Sequence, residues 1–231
     1  MLPFTEEAGF KLPYLYDFRV PGVTSISSDP HKYCYGPKGF SCLMFRTKEM
    51  RRLTFKAVTT WSGGMYVTPT MAGSRSGAVI AGTWAAIMKQ GRQGFLGKAK
   101  TLLTSAANIR KQLVQVPEIE LISKHDSTVV AFTSKHFNCV ALNDMMAQKH
   151  KWTLQNIMNP LSSHLVVTDA NAGAWKEFLP ALLDCIEYLI KHPEENNRGD
   201  AALYGLTEKL PSTGVIGDFL KDYVESTLDA L

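Results

Sequence analysis

The chain has 231 residues, 45% hydrophobic and 20% charged, a balance that excludes wholesale disorder. No apolar run reaches the roughly 18 residues a membrane helix needs. The opening Met1-Leu2-Pro3-Phe4-Thr5-Glu6-Glu7 has no basic flank before an apolar core, so neither a membrane span nor a secretion signal is expected.

The net charge of +4 hides an uneven distribution. Residues 1–116 carry 16 basic and 5 acidic side chains, and residues 117–231 carry 9 basic and 16 acidic; no acid falls between Glu49 and Glu118. A basic first half suits a phosphorylated ligand, a nucleic acid or an acidic partner surface. No arginine-rich helix or paired aromatic motif accompanies the charge, so nucleic acid is not expected. Cys34, Cys42, Cys139 and Cys185 lack CxxC or Cys/His ligand spacing, and read as free thiols in a reducing compartment without a structural metal.

In chain order, Pro3, Pro13, Pro21 and Gly22 prevent a long element in residues 1–22. Short strands are expected at 23–27 and 40–45, separated by the breaker run Tyr35-Gly36-Pro37-Lys38-Gly39. A charged helical turn at 47–52 and a β segment at 54–60 follow. Residues 61–77 hold four glycines, a proline and several hydroxyls among Trp61, Met65, Tyr66 and Met71; this reads as an ordered loop at a site or interface. Helices are expected at 78–90 and 95–115, the second with a Leu102, Ala106, Ile109, Leu113 stripe. From 117 onward, strands at 119–122, 128–132, 152–156 and 165–168 alternate with helices at 139–149 (capped by Asn138) and 175–192. A polar hinge at 194–198 and helices at 200–209 and 215–228 complete the chain. The stripe Trp175, Phe178, Leu182, Ile186, Leu189 has helical spacing and reads as core. Residues 117–231 are therefore expected to form a compact α+β domain, and residues 23–60 are expected to contribute a remnant of a parallel sheet.

Chemistry concentrates at Ser25-Ile26-Ser27-Ser28-Asp29-Pro30-His31-Lys32-Tyr33. A lysine in a strand-end loop among aromatics is desolvated, which frees the neutral amine for Schiff-base chemistry, including with pyridoxal phosphate. His31 beside it can donate to a phosphate or carboxylate. The alternative is a surface His-Lys pair at a turn. The second candidate is Gly73-Ser74-Arg75-Ser76-Gly77, where backbone N–H groups at a helix head and a guanidinium suit an anion. The alternative there is a helix cap. No Gly-Lys-Ser/Thr, Gly-x-Ser-x-Gly or His-Glu-x-x-His motif is present. His125, His136, His150, His164 and His192 read as surface or capping residues.

The run from Asp17 through Val23-Thr24-Ser25-Ile26-Ser27-Ser28-Asp29-Pro30-His31-Lys32-Tyr33, then Gly36-Pro37-Lys38-Gly39, resembles the sphingosine-1-phosphate lyases of the pyridoxal-phosphate-dependent group II decarboxylase superfamily. Gly63-Gly64-Met65-Tyr66, Pro69-Thr70 and Gly73-Ser74-Arg75 match the same family in the same order. The resemblance implies an α/β chain, the C-terminal part of a fold-type-I transferase. Residues 1–92 would be the end of the large cofactor domain, and 93–231 a linker helix and small α+β domain. It implies pyridoxal 5'-phosphate bonded to Lys32, with His31 near the cofactor phosphate. Gly73 and Ser74 would reach the phosphate of a neighbouring subunit's cofactor, and Tyr66 and Arg75 would line the substrate-phosphate side. Lys32 and Tyr66 are the implied catalytic residues.

The implied reaction cleaves a phosphorylated long-chain base to a fatty aldehyde and phosphoethanolamine. The implied partner is a second identical subunit or a full-length lyase. The family works at the cytosolic face of the endoplasmic reticulum, and this chain as written would be cytoplasmic. The family's ring-stacking histidine and ring-nitrogen aspartate lie well upstream of the lysine, whereas 31 residues precede Lys32 here. A fragment without independent turnover is therefore expected. Pro30 is closer to the amino-acid decarboxylases, and Cys34 stands where the lyases carry glycine. A decarboxylase relative, or an inactive subunit that only binds a partner, remain the alternatives.

Overall fold

The computed structural model describes residues 2–123, 125–199, 201–202 and 213–229. The chain divides into two compact units, Met1–Lys100 and Thr101–Leu231. The expected helix at 200–209 lies almost wholly outside the described residues. No described helix is long and apolar enough to cross a membrane.

The first unit is built from two small hairpins and a long helix. β1 (Ser25–Ser28) pairs antiparallel with β2 (Cys42–Phe45), Ser25 opposite Phe45 and Ser28 opposite Cys42. α1 (Lys48–Arg52) follows, its Thr47 side chain accepting from the Met50 N–H at 3.2 Å. β3 (Lys56–Val58) then pairs antiparallel with β4 (Tyr66–Thr68). The parallel arrangement expected over 23–60 is not found. Each strand meets its sequence neighbour, and the connections 29–41 and 59–65 contain no crossover helix to make a parallel return.

α2 (Gly77–Leu113) is broken at Gly91, whose φ of 58° and ψ of 178° are not helical. The two expected helices are thus consecutive segments of α2, and the break falls on a residue that adopts positive φ at little cost. Two contacts anchor the first segment. Thr83 packs against Gly36, and Gly82 against Pro37. Phe4 stacks on Phe95 at 5.6 Å, and Arg92 bonds Glu7 at 2.6 Å, which ties the N-terminal segment to the start of the second.

The second unit holds a four-stranded antiparallel sheet in the order β5 (Glu120–Leu121), β6 (Val129–Thr133), β8 (Ser162–Val166), β7 (Gln155–Ile157). Val130, Ala131 and Phe132 are consecutive and all buried, so β6 is covered on both faces. α3 (Cys139–His150) starts at Asn138, whose side chain accepts from Val140 N–H at 2.8 Å, and ends at left-handed Lys151. α4 (Trp175–Lys191) packs on α3. Phe178, Leu182, Ile186 and Leu189 form its buried stripe, as the spacing predicts, with Trp175 half-buried at its head. Leu102, Ala106, Ile109 and Leu113 of α2 are also buried. The polar hinge is a 3-10 turn (Pro193–Asn197), and α5 (Thr213–Asp229) is the last described element.

Candidate functional site: the Lys32 turn and the 61–77 loop

β1 ends at Ser28, and the chain turns at once through Asp29-Pro30-His31-Lys32. The Lys32 N–H donates to Asp29 C=O at 3.1 Å, and Gly36 N–H to Pro30 C=O at 3.1 Å, which closes the turn at both ends. Pro30 is buried under it, close to Gly36. The proline is thus accounted for by packing. Gly36 is required for the same reason: a Cβ there would lie 2.9 Å from Thr83 Oγ1. Tyr35 takes positive φ, and its ring lies 4.5 Å from Lys98 Nζ.

Lys32 points outward from this base. Its side chain is 65% exposed, and Nζ lies 2.9 Å from Asp29 Oδ2. The desolvation expected for Lys32 is therefore absent, because Tyr33 and Tyr35 flank the turn without covering the amine. Ser41 Oγ donates to the other carboxylate oxygen, Asp29 Oδ1, at 2.7 Å, and lies 3.2 Å from Ser28 C=O. The Lys32 contact first, and the Ser41 contact second, hold the Asp29 carboxyl below its ordinary range. Sequence reasoning passed over Asp29 and Ser41. The signal available was an Asp-x-x-Lys spacing across a turn, which brings the two side chains together.

His31 is half-buried, and its Nδ1 is shut off from solvent with no hydrogen-bond partner among the described residues. Thr83 Oγ1, beneath the same turn, is likewise buried and unpaired. A buried polar atom without a partner is costly, and His31 Nδ1 is the one of the two that belongs to the turn itself, where a polar ligand atom would relieve that cost.

The second candidate closes on itself. Tyr66 lies on β4, half exposed, its ring edge-on to Trp61 at 6.2 Å. Trp61 in turn covers Gly63, where any Cβ would strike the indole. The Tyr66 hydroxyl lies 3.9 Å from where a Gly73 Cβ would stand. Arg75 Nη2 donates to Thr70 Oγ1, and Thr70 Oγ1 donates to Ala72 C=O at 2.9 Å. Thr68 Oγ1 donates to Thr70 C=O at 2.7 Å. Gly73, Ser74 and Arg75 are exposed at the head of α2. The structure thus brings Tyr66, Gly73 and Arg75 into one loop cluster, and His31 and Lys32 into one turn. The recorded side-chain partners of Lys32 and Arg75 lie within their own segments.

The four cysteines are free. In the second unit, His150, Asp184 and Cys185 have ligand atoms within 4.8 Å of one another. Lys149 Nζ, however, sits 2.6 Å from the same Asp184 oxygen that His150 Nε2 approaches at 2.6 Å, so a cation already occupies that carboxylate. Burial pushes the Cys185 thiol up to about 11, against thiolate ligation.

No family model matches the chain. A sphingosine-1-phosphate lyase of Arabidopsis thaliana is 38% identical over 226 residues, covering 98% of this chain and 41% of that protein. The solved sphingosine-1-phosphate lyase of Burkholderia pseudomallei superposes with a TM-score of 0.76 at 34% identity, over 92% of this chain and 47% of that one. The chain is homologous to the sphingosine-1-phosphate lyases. It spans about two fifths of the length of the curated relatives it matches. Glutamate decarboxylase of Lactobacillus brevis (TM-score 0.61, 20% identity, 75% and 42% covered) shares the fold. So does C-DES, solved with glycine covalently linked to its PLP cofactor (0.55, 17%, 73% and 48%). The α/β fold of this chain is that of the pyridoxal-phosphate-dependent enzymes.

Proposed function

We propose that the chain is the cofactor-anchoring and phosphate-binding portion of a pyridoxal-phosphate-dependent lyase that cleaves sphingoid base 1-phosphates to a fatty aldehyde and phosphoethanolamine. Residues 1–92 belong to the end of its large domain and 93–231 to its linker helix and C-terminal small domain. The observation that carries the reading is the Lys32 turn: a primary amine at a strand end, next to a His31 nitrogen buried without a partner. Those residues suit the cofactor. Lys32 would hold it through its aldehyde, and His31 Nδ1 would offer it a polar contact.

Bound there, pyridoxal phosphate supplies an electron sink for the pair released when the C2–C3 bond of the substrate breaks. The remaining work falls to side chains of the chain. Lys32 would hold the cofactor, a primary amine being the group its aldehyde takes. Gly73 and Ser74 offer donors at the head of α2 to the phosphate of a neighbouring subunit's cofactor. Arg75 and Tyr66 meet the substrate phosphate; Arg75 is held by a neutral hydroxyl, so its charge is left for an anion. In this reading Tyr66 also reaches the reacting end of the substrate, its hydroxyl already beside Gly73. A second identical subunit, or a full-length lyase, completes the site, and the assembly works at the cytosolic face of the endoplasmic reticulum.

The test is attachment followed by turnover. Pyridoxal phosphate is added to the chain, trapped with borohydride and mapped by peptide mass spectrometry. Attachment is expected at Lys32 in stoichiometric excess over Lys98 and Lys149, and is expected to vanish in Lys32→Ala. Equal labelling of all exposed lysines refutes the assignment. Turnover, assayed with a co-expressed full-length subunit, is expected on sphingosine phosphate and absent on aromatic and acidic amino acids; the opposite preference refutes the substrate class.

A further inference from the structure

We propose that Asp29, braced by Ser41, is a positioning residue that parks the Lys32 ammonium whenever Lys32 is not bonded to a cofactor. The inference rests on the cofactor reading above for its purpose, but the geometry stands without it. The Lys32 amine lies 2.9 Å from one Asp29 oxygen, and the Ser41 hydroxyl donates to the other at 2.7 Å. Two of the three residues come from one turn, and Ser41 immediately precedes the facing strand. Ser28 is paired with Cys42 in the β1–β2 register, which places Ser41 next to Asp29.

Ser41 settles which way the carboxylate faces. A carboxylate on an exposed turn is free to rotate, and an exposed ion pair loses much of its worth to that freedom. With Oδ1 bonded to Ser41, Oδ2 is left facing Lys32 Nζ. The Lys32 N–H bond to Asp29 C=O fixes the same two residues through the backbone, so main chain and side chain enforce one spacing. His31, one residue before Lys32, also acts on the Asp29 carboxyl, in the same lowering direction and after the Lys32 and Ser41 contacts.

A parked ammonium is unreactive toward an aldehyde until it loses a proton and leaves the carboxylate. Asp29 therefore slows the first attachment at Lys32. It also gives the amine a fixed place to go once a substrate amine has displaced it, close enough to return. Attachment would form a C=N bond from Lys32 Nζ to the aldehyde carbon and release the aldehyde oxygen as water, the ammonium having first given its proton to solvent. Displacement by a substrate amine would return Lys32 as the free amine, which takes a proton back and rejoins Asp29.

The experiment uses the whole chain and two electrophiles. Trace acetic anhydride, with Lys48 and Lys135 as internal references, reads the reactivity of the Lys32 amine without any cofactor. Pyridoxal phosphate with borohydride trapping reads attachment. Asp29→Asn is expected to raise acetylation of Lys32 about two- to fivefold at neutral pH, the range an exposed ion pair commands. Ser41→Ala should give a smaller rise, and Asp29→Glu should restore most of the wild-type rate. Attachment of pyridoxal phosphate should accelerate in the same order. Unchanged or lowered acetylation in Asp29→Asn overturns the clamp, even if Lys32 still takes the cofactor. If acetylation rises as stated but pyridoxal phosphate does not attach at Lys32, the clamp stands and the cofactor reading falls. Circular dichroism melting checks each variant; should Asp29→Asn not fold, Ser41→Ala decides by the presence or absence of the rise.

Discussion

Gly36→Ala is the sharpest test of how the Lys32 turn is held on α2. The added Cβ would stand 2.9 Å from Thr83 Oγ1, 3.3 Å from Thr83 Cγ2 and 3.4 Å from Pro30 Cβ. Thr83 is 4% exposed, and both Oγ1 and Cγ2 face the added methyl, so the buried side chain has little room to withdraw. The turn must lift instead, which strains the Gly36 N–H to Pro30 C=O bond that closes it. Overpacking of this kind costs about 1–3 kcal/mol. For a chain of this length roughly 2–4 °C of midpoint accompanies each kcal/mol, so a fall of about 4–8 °C is expected for a mid-range cost. Thr83→Ala removes the two nearest atoms, along with a hydroxyl that is buried and unpaired. The single variant should therefore be close to neutral, and Gly36→Ala in that background should lose little. Thermal or urea unfolding of the wild type, the two single variants and the double variant gives a coupling expected to exceed about 1 kcal/mol. If Gly36→Ala matches wild type, or costs as much in the Thr83→Ala background as with Thr83 in place, the turn does not rest on α2 as described.

Phe178 is fully buried and meets Trp152 edge-on at 5.1 Å, so Phe178→Ala should destabilise the second unit by about 3–5 kcal/mol in urea unfolding. The Asp184 carboxyl is held below its ordinary range by Lys149 and then His150. A depressed carboxyl adds stability above its unfolded value and loses it as the pH falls through the folded one. The melting temperatures of wild type and Asp184→Asn should therefore differ near neutrality and converge below about pH 4. Ile80, Trp84, Ile87 and Met88 form an exposed apolar stripe on α2, and Met65 and Met71 stand out on the loop before it. Light scattering of the chain alone should show concentration-dependent association, reduced in Trp84→Glu; a monodisperse monomer refutes this.

The helices of the second unit were legible because their information is local. α3 has an Asn cap and α4 a 3.6-residue apolar period, and each began within a residue of its expected start. The strand boundaries were less so. β7 is Gln155–Ile157 where 152–156 was expected, and β8 is Ser162–Val166 where 165–168 was expected. Buried Ser162 and Ser163 carry no hydrophobic signal, since Ser163 is satisfied by Asn143 and Cys139 rather than by solvent. Sheet direction was not legible either, because it depends on which strands meet. In the candidate site, the residue types that carry chemistry were visible, but their exposure was not. Aromatic neighbours in sequence suggested a desolvated Lys32, whereas the backbone turn directs Tyr35 toward Lys98 and leaves the amine to Asp29.

The two cations that the proposed function uses are held in chemically different ways, and the difference suits their roles. Lys32 is neutralised by a carboxylate that is itself fixed by Ser41, so an arriving anion finds little net charge at that turn. Arg75 is oriented by the Thr70 hydroxyl, a neutral partner, in a stretch of chain from 50 to 117 that contains no acid. Its full charge therefore faces outward, next to backbone donors at the head of α2. An amine that must form and break a covalent bond gains from a partner that stores it between bonds. A guanidinium that must attract a phosphate gains from having none. The same basic first half thus supports one position for amine chemistry and another for anion capture, and the carboxylate at Asp29 separates them.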